Sequence, residues 1–309
     1  MPGQLTVTYF HHSGFSVACG ETLMIFDYWR GENRELDGSP ALREEDLLGF
    51  RQVLFFISHE HPDHYDEVVY DFKHFNFVQY IIADDMPETA EGVRMAAGDK
   101  KTFGEAKVTA FPSTDLGVSF YVEIGGLHIF HAGDLNLWHW REESTLRQIT
   151  QAENMYYEAV APIVGLPIDL CMFPLDPRMG SMHAAGANHF IMTCKPRVFI
   201  PMHWQGRGEI ASDFARRCRT KFTEGLALTR PRERAVITFE EHSINIHVYL
   251  TAEKEDMFRR RRRTENEDIV QQALRSLETG EPFSGTDLPV DSINDKADKR
   301  STSHAAEKE

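Results

Sequence analysis

Residues 53–64 read Val-Leu-Phe-Phe-Ile-Ser-His-Glu-His-Pro-Asp-His, and this stretch decides the fold. Its first half, residues 53–58, is a continuous apolar run of strand length, the pattern of a strand buried on both faces of a sheet. Its second half holds His59, His61, Asp63 and His64 within six residues. A sharp loop leaving a buried strand can aim such side chains at one point. Imidazole nitrogen and carboxylate oxygen together suit zinc or another first-row divalent ion. The competing reading is a polar surface loop that happens to be rich in histidine. The scarcity of that residue and the spacing argue against it.

Outward from this stretch the chain reads as a succession of short strands. Residues 5–10, 15–18 and 22–26 precede it, with breaks at Gly14 and Gly20. Residues 28–45 are polar and contain Gly and Pro, so they read as a surface loop. Residues 78–82, 107–111, 118–124 and 127–131 follow, and Gly125-Gly126 between the last two signals a hairpin. Residues 170–173 and 198–201 read as buried strands, with a helix over 185–194 between them. Residues 143–161 and 210–222 have helical composition, and 235–239 with 244–250 form a closing hairpin. Many short strands with helices at intervals predict a mixed sheet sandwich flanked by helices. Residues 253–280 are read as a charged helical extension containing Arg259 to Arg263. Residues 281–309, poor in aliphatics, are expected to be disordered.

The chain has 309 residues, of which 41% are hydrophobic, ample material for a sizeable core. With 33 Lys and Arg against 48 Asp and Glu, its formal charge is −15. That balance disfavours a nucleic-acid partner, because neutralising phosphates needs surplus cations. No apolar run approaches the roughly 18–20 residues needed to cross a bilayer. The start, MPGQLTVTYF, lacks the pattern of a secretory signal. Cys19, Cys171, Cys194 and Cys218 form no Cys-x-x-Cys pair and read as reduced thiols of a cytoplasmic protein.

Residues 59–64 form a His-x-His-x-Asp-His signature, and the chain resembles the metallo-β-lactamase-fold hydrolase superfamily over roughly residues 4–250. The resemblance implies an α/β fold, a four-layer αββα sandwich within residues 1–252, with the site at the edge of the two sheets. It implies one metal on His59 and His61 and a second on Asp63 and His64. His131-Ala132-Gly133-Asp134 follows a predicted strand as the family's metal-bridging aspartate does, which makes Asp134 the expected bridge. Ile200-Pro201-Met202-His203-Trp204 looks like the segment carrying the family's last ligand, His203, on the second metal. The plainer alternatives are a turn aspartate and a strand-end histidine.

One departure stands out. The family supplies a third histidine to the first metal, yet no histidine lies between His74 and His128. Phe111-Pro112-Ser113-Thr114-Asp115 occupies that part of the chain. Asp115, or Ser113, is a candidate substitute; otherwise the first metal keeps two histidines alone, or the protein is a member without catalysis. Tyr9 to Phe15, Ile25-Phe26-Asp27 and Pro174-Leu175-Asp176-Pro177-Arg178 resemble the branch that contains ascorbate-phosphate lactonase. His12 and Asp27 are candidates to support the ligands from behind, since ligating histidines need a partner on their other nitrogen; each could equally be a buried structural residue. Trp138 and Trp140 are candidate pocket walls, or core. Arg178 and His183 are candidate contacts to an anionic substrate group, against a plain surface salt bridge.

The resemblance therefore implies a metal-dependent hydrolase in which a metal-bound hydroxide attacks a small ester-like substrate, a lactone or a phosphodiester. Asp63 would orient the nucleophile or its proton. The cofactor would be one or two divalent ions, zinc first, with manganese or iron as alternatives. A small-molecule substrate and a homo-oligomer fit this reading. The other readings are a metal-binding or sensing protein without turnover and a nuclease of the same fold. The signature argues against the diiron flavoprotein branch, where a glutamate takes the second histidine's place.

Overall fold

Side chains alternate across a strand, so a strand with large apolar residues at consecutive positions needs a cover on each face. Phe55 and Phe56 meet this condition in opposite directions. The computed structural model describes residues 3–30, 42–241 and 243–249. The charged extension and tail expected over 253–309, and most of the loop expected over 28–45, lie outside the described residues.

The strands in chain order are β1 (Gly3–His11), β2 (Gly14–Cys19), β3 (Thr22–Phe26), β4 (Gln52–Ile57), β5 (Val78–Ala83), β6 (Val93–Met95), β7 (Lys100–Phe103), β8 (Ala106–Pro112), β9 (Val118–Ile124), β10 (Leu127–His131), β11 (Leu170–Pro174), β12 (Val198–Met202), β13 (Glu224–Gly225), β14 (Arg234–Phe239) and β15 (Ile244–Tyr249). The helices are α1 (Glu44–Leu47), α2 (Leu146–Val160), α3 (Ala185–Cys194) and α4 (Gly208–Arg217). One mixed sheet has the order β15-β14-β1-β2-β3-β4-β5-β6, and the other β13-β12-β11-β10-β9-β8-β7.

The sheets pack face to face. Phe56 of β4 stacks on Phe26 of β3 at 4.6 Å and meets Phe120 of β9 edge-on at 5.2 Å. Phe55, one residue earlier, points the other way, onto Phe72 of a 3-10 turn (Glu67–Phe72) and onto Tyr80. The outer face of the second sheet is covered by helices: Phe190 of α3 stacks on Phe130 and packs at a tilt on Phe173, and Phe214 of α4 packs at a tilt on Phe199. The architecture is an α/β sandwich of two mixed sheets between helical layers. Thr145 starts α2 by capping it, its hydroxyl accepting from Gln148 N while Gln148 Oε1 accepts from Thr145 N at 2.8 Å. The helix therefore begins after the expected residue 143.

Three expectations need correcting. The segment at 28–45 is not simply a surface loop: Tyr28 and Leu42 are buried, the Tyr28 hydroxyl oxygen accepts from Leu42 N at 3.2 Å, and α1 begins at Glu44. The helix expected over 210–222 runs from Gly208 and stops at Arg217, where Cys218 caps it with its N–H on Phe214 O. Strands β6, β7 and β13 were not expected from the sequence. Among the described residues no helix is long and apolar enough to cross a membrane.

Candidate metal centre

Strand direction gathers the site. β3, β4 and β5 run parallel, as do β10, β11 and β12. β1 and β8 are each two antiparallel steps away from such a strand and so point the same way. The residues just past the carboxyl ends of these strands are His12 after β1, Asp27 after β3, His59 after β4, Asp115 after β8, Asp134 after β10, Asp176 after β11 and His203 after β12. The carboxyl edge of parallel strands is where open α/β sheets place their ligands.

Asp27 is the buried anchor. Its Oδ1 accepts from Ser58 N at 2.8 Å and its Oδ2 from Ser58 Oγ at 2.6 Å. His64 Nδ1 also lies on Oδ2, at 2.8 Å. Ser58 Oγ, its proton given to Asp27, faces His59 Nδ1 at 2.9 Å. On the other side His203 Nδ1 is 3.0 Å from Asp176 Oδ2, and Arg178 Nε holds the same carboxylate at 2.9 Å. The Nδ1 atoms of His64 and His59 are hydrogen-bonded from behind and that of His203 lies beside the Asp176 carboxylate without an aligned hydrogen bond, which leaves each Nε2 facing forward. Those Nε2 atoms converge on Asp134: His64 at 3.1 Å, His203 at 3.4 Å, His59 at 3.6 Å.

These converging atoms are of a kind that could hold a metal ion. His64 Nε2 and Asp134 Oδ1 are buried without an aligned hydrogen-bond partner despite their proximity. Donor atoms about 3.3 Å apart are what four ligands at zinc-like bond lengths of about 2.0–2.1 Å present to one another. Histidine with carboxylate or hydroxyl behind it and a free Nε2 in front is the usual arrangement around such an ion. The donor set therefore fits a divalent metal.

Three groups of donors lie within 4.8 Å of one another: His12, Asp63, His64 and His203; His59, His64 and Asp134; and His61, Asp115 and Asp134. His61 Nδ1 also faces His59 Nε2 at 3.0 Å. Asp115 reaches the site because Gly117, at φ +70°, lets its loop lie directly on Ser58. Any β-carbon there would overlap the Ser58 carbonyl oxygen. Val118 N donates to that same oxygen at 3.0 Å, and Thr114 Oγ1 donates to Asn136 O at 2.6 Å, pinning both ends of the loop. Gly133, at φ +53°, brings Asp134 past Ser58 in the same way.

Burial and charge set the protonation. Burial, with the neighbouring His64, pulls His59 down to about 4, so it is a neutral donor at pH 7. Burial also works to raise Asp63, but the His12 contact and the charges of His64 and His203 hold it well below the carboxylate range. Asp134 is held low against burial by His64 and His203. His64 is opposed by burial but raised by Asp134 and Asp27, so it keeps a proton that an arriving cation must displace.

The remaining sequence candidates fall as follows. Trp138 is at the site: its ring centroid is 5.6 Å from His203, its Nε1 donates to Asp134 O at 2.8 Å, and Trp140 stacks beside it. Arg178 is a salt-bridge partner of Asp176, behind His203. His183 Nδ1 sits on Gly180 O at 2.9 Å, at the end of a 3-10 turn (Pro177–Met182). Ser113 Oγ accepts from Asp115 N at 3.3 Å and so steadies Asp115. His131, next to the bridge motif, is a buried connector, with Nε2 on Ser13 O at 2.9 Å and Nδ1 accepting from Gly133 N at 3.2 Å. Two residues went unsingled in the sequence: Trp29, whose ring lies 6.4 Å from His12, and Ser58 as the support of His59. Ser58 was legible only as the residue between a buried strand and the first histidine.

No known family model matches the chain. It is 28% identical over 247 residues to a UPF0173 metal-dependent hydrolase of Symbiobacterium thermophilum, covering 74% of this chain and 98% of the relative. A UPF0173 metal-dependent hydrolase of Thermus thermophilus is 26% identical over 242 residues, covering 72% of this chain and 95% of the relative. Among solved structures, a metallo hydrolase from Ignicoccus hospitalis superposes with a TM-score of 0.57 at 17% identity, covering 77% of this chain and all of the other.

Proposed function

We propose that this chain, which is similar to UPF0173 metal-dependent hydrolases and shares the fold of a metallo hydrolase, is itself a metal-dependent hydrolase of a small ester-like substrate, a lactone or a phosphodiester. The observation that carries the reading is the convergence of three rear-anchored histidines on Asp134, with Asp115 brought beside His61. Asp115 replaces the missing histidine, so that His59, His61, Asp115 and Asp134 hold one ion. Asp63, His64, Asp134 and His203 hold the other. Zinc suits the imidazole-rich donor set, and the carboxylates keep manganese and iron as competitors.

A divalent ion at such a site supplies water ionised near neutral pH and polarises the bond under attack. The chain's own groups do the rest. Asp134, on which His59, His64 and His203 converge, would be held in common by both groups of donors. Asp63, anionic at neutral pH and half-exposed at the mouth of the site, is placed to orient the attacking water and take its proton. Asp27, Ser58 and Asp176 keep His64, His59 and His203 from turning. Trp138, held to Asp134 O, forms an apolar wall against which the non-reacting part of the substrate packs. The formal charge of −15 favours a small substrate over a nucleic acid.

Elemental analysis of protein purified without chelator, in the parent and in Asp115→Ala, tests the site. Two ions in the parent and one in the variant are expected, with lactone or phosphodiester hydrolysis falling in step. One ion in both would remove Asp115 from the ligand set. No metal in either would overturn the hydrolase reading, and stoichiometric metal without turnover over a broad ester panel would favour a sensor.

A further inference from the structure

Resting on the metal-dependent reading above, we propose that His12 is itself a metal ligand. It is a protein donor to the second ion additional to Asp63, His64, Asp134 and His203.

The geometry places it there. His12 Nε2 lies 3.2 Å from Asp63 Oδ2, and one donor atom each from His12, Asp63, His64 and His203 share a space no more than 4.8 Å across. The His12 ring is 4.0 Å from the His203 ring and edge-on to His64 at 5.4 Å. Its Nε2 is buried and forms no aligned hydrogen bond, although the Asp63 oxygen is close. Three imidazoles with ring centroids 4.0, 5.4 and 5.5 Å apart beside one carboxylate are poorly arranged for one another. They are well arranged for a cation between them.

The backbone argues the same way. His12 occupies the turn between β1 and β2 at φ +53°. A left-handed residue costs roughly 1–2 kcal/mol unless it is glycine, with asparagine the next most tolerant. The turn thus carries a bulky, buried imidazole where its conformation favours a small residue. His203, at φ +59°, is under the same constraint, and its backbone N donates to His12 O at 3.2 Å. Each strained residue fixes the other, and strain of this kind persists where the surroundings over-determine it.

A consequence follows for the two ions. With His12 added, the second ion would have His12, Asp63, His64, Asp134 and His203 as donors, one more than the ion at His59, His61, Asp115 and Asp134, so the position that a substrate needs falls more readily on the first. The second ion is then the tightly held one and the first the exchangeable one.

His12→Gly and His12→Asn test this, since both residues accept the turn. Metal-free folding of each variant is checked by circular dichroism. Competition with a chelator is then read for each ion, and the protein is loaded with cobalt(II) for its visible spectrum. The expected result is a loss of at least about tenfold in affinity for the second ion alone, with a cobalt spectrum changed toward lower coordination number. Free imidazole should restore both in His12→Gly. Unchanged affinity and an unchanged cobalt spectrum in folded variants would overturn the assignment while leaving the metal reading intact. A parent protein that takes up no metal would overturn both.

Discussion

Asp27 touches none of the ligand positions facing Asp134, yet it governs two of them. It takes His64 Nδ1 directly and orients His59 through Ser58 Oγ. It is fully buried; burial works to raise its carboxyl, and His131 and His64 outweigh that and hold it ionised. The substitution Asp27→Asn keeps the shape and removes the charge. It leaves His64 free to adopt the wrong tautomer, with its proton toward Asp134. Metal affinity is expected to fall about 10–100-fold, as for other outer partners of ligating histidines. Chelator competition on the folded variant checks this, and an affinity within twofold of the parent would show that Ser58 and packing alone hold the rings. Asp27→Ala should lose more, because it strands a buried histidine without its counter-charge.

At the scale of elements, the site is a product of loop approach as much as of strand direction. Gly117 is the place where this can be broken. A methyl group there would overlap the Ser58 carbonyl oxygen and also meet a positive φ, so the loop carrying Asp115 must lift away. Gly117→Ala is expected to destabilise the fold by more than about 1 kcal/mol. It should also empty the first metal position while the second, which does not use this loop, stays filled; metal content and a denaturant titration measure the two effects. How far the elements were legible follows from the same physics. Strands β3, β9 and β10 can be read to the residue because each is an unbroken apolar or alternating run bounded by turns. Strand β7, Lys-Lys-Thr-Phe, cannot, because it is an edge strand whose charges discourage further pairing rather than advertise a core. Strand β6, at the edge of the other sheet, is too short to show a period. The cluster at residues 59–64 was legible because its donors are neighbours in sequence. His12, Asp27 and Asp115 come from other strand ends and stand in the sequence only as candidates; the place of Asp176 behind His203 is not legible there, and the approach of Asp115 depends on a glycine-permitted contact that no local pattern carries.

For the whole molecule, the centre is also a clasp. Its donors come from both sheets: His12 and residues 59–64 from the first, Asp115, Asp134 and His203 from the second, with Asp27 and Asp176 behind them. Without an ion, that seam brings together Asp134, Asp63 and several imidazoles whose mutual arrangement is satisfied only in part. An ion that binds the folded chain and not the unfolded one adds about 2.7 kcal/mol of stability when present at a hundred times its dissociation constant. A domain of this size shifts its melting temperature by roughly 2–4 °C per kcal/mol. Stripping one such ion should therefore lower the melting temperature by roughly 5–11 °C, and the second ion should add to this. The order of loss carries the argument further. If the His12 side is the closed one, mild chelation removes the first ion with a small drop in melting temperature and the loss of turnover. Stronger chelation then produces the larger drop, because that ion adds to the His203 N to His12 O hydrogen bond in tying the end of β1 in the first sheet to that of β12 in the second. A single melting step lost together with activity at the first equivalent of chelator would show instead that the two ions leave as a unit.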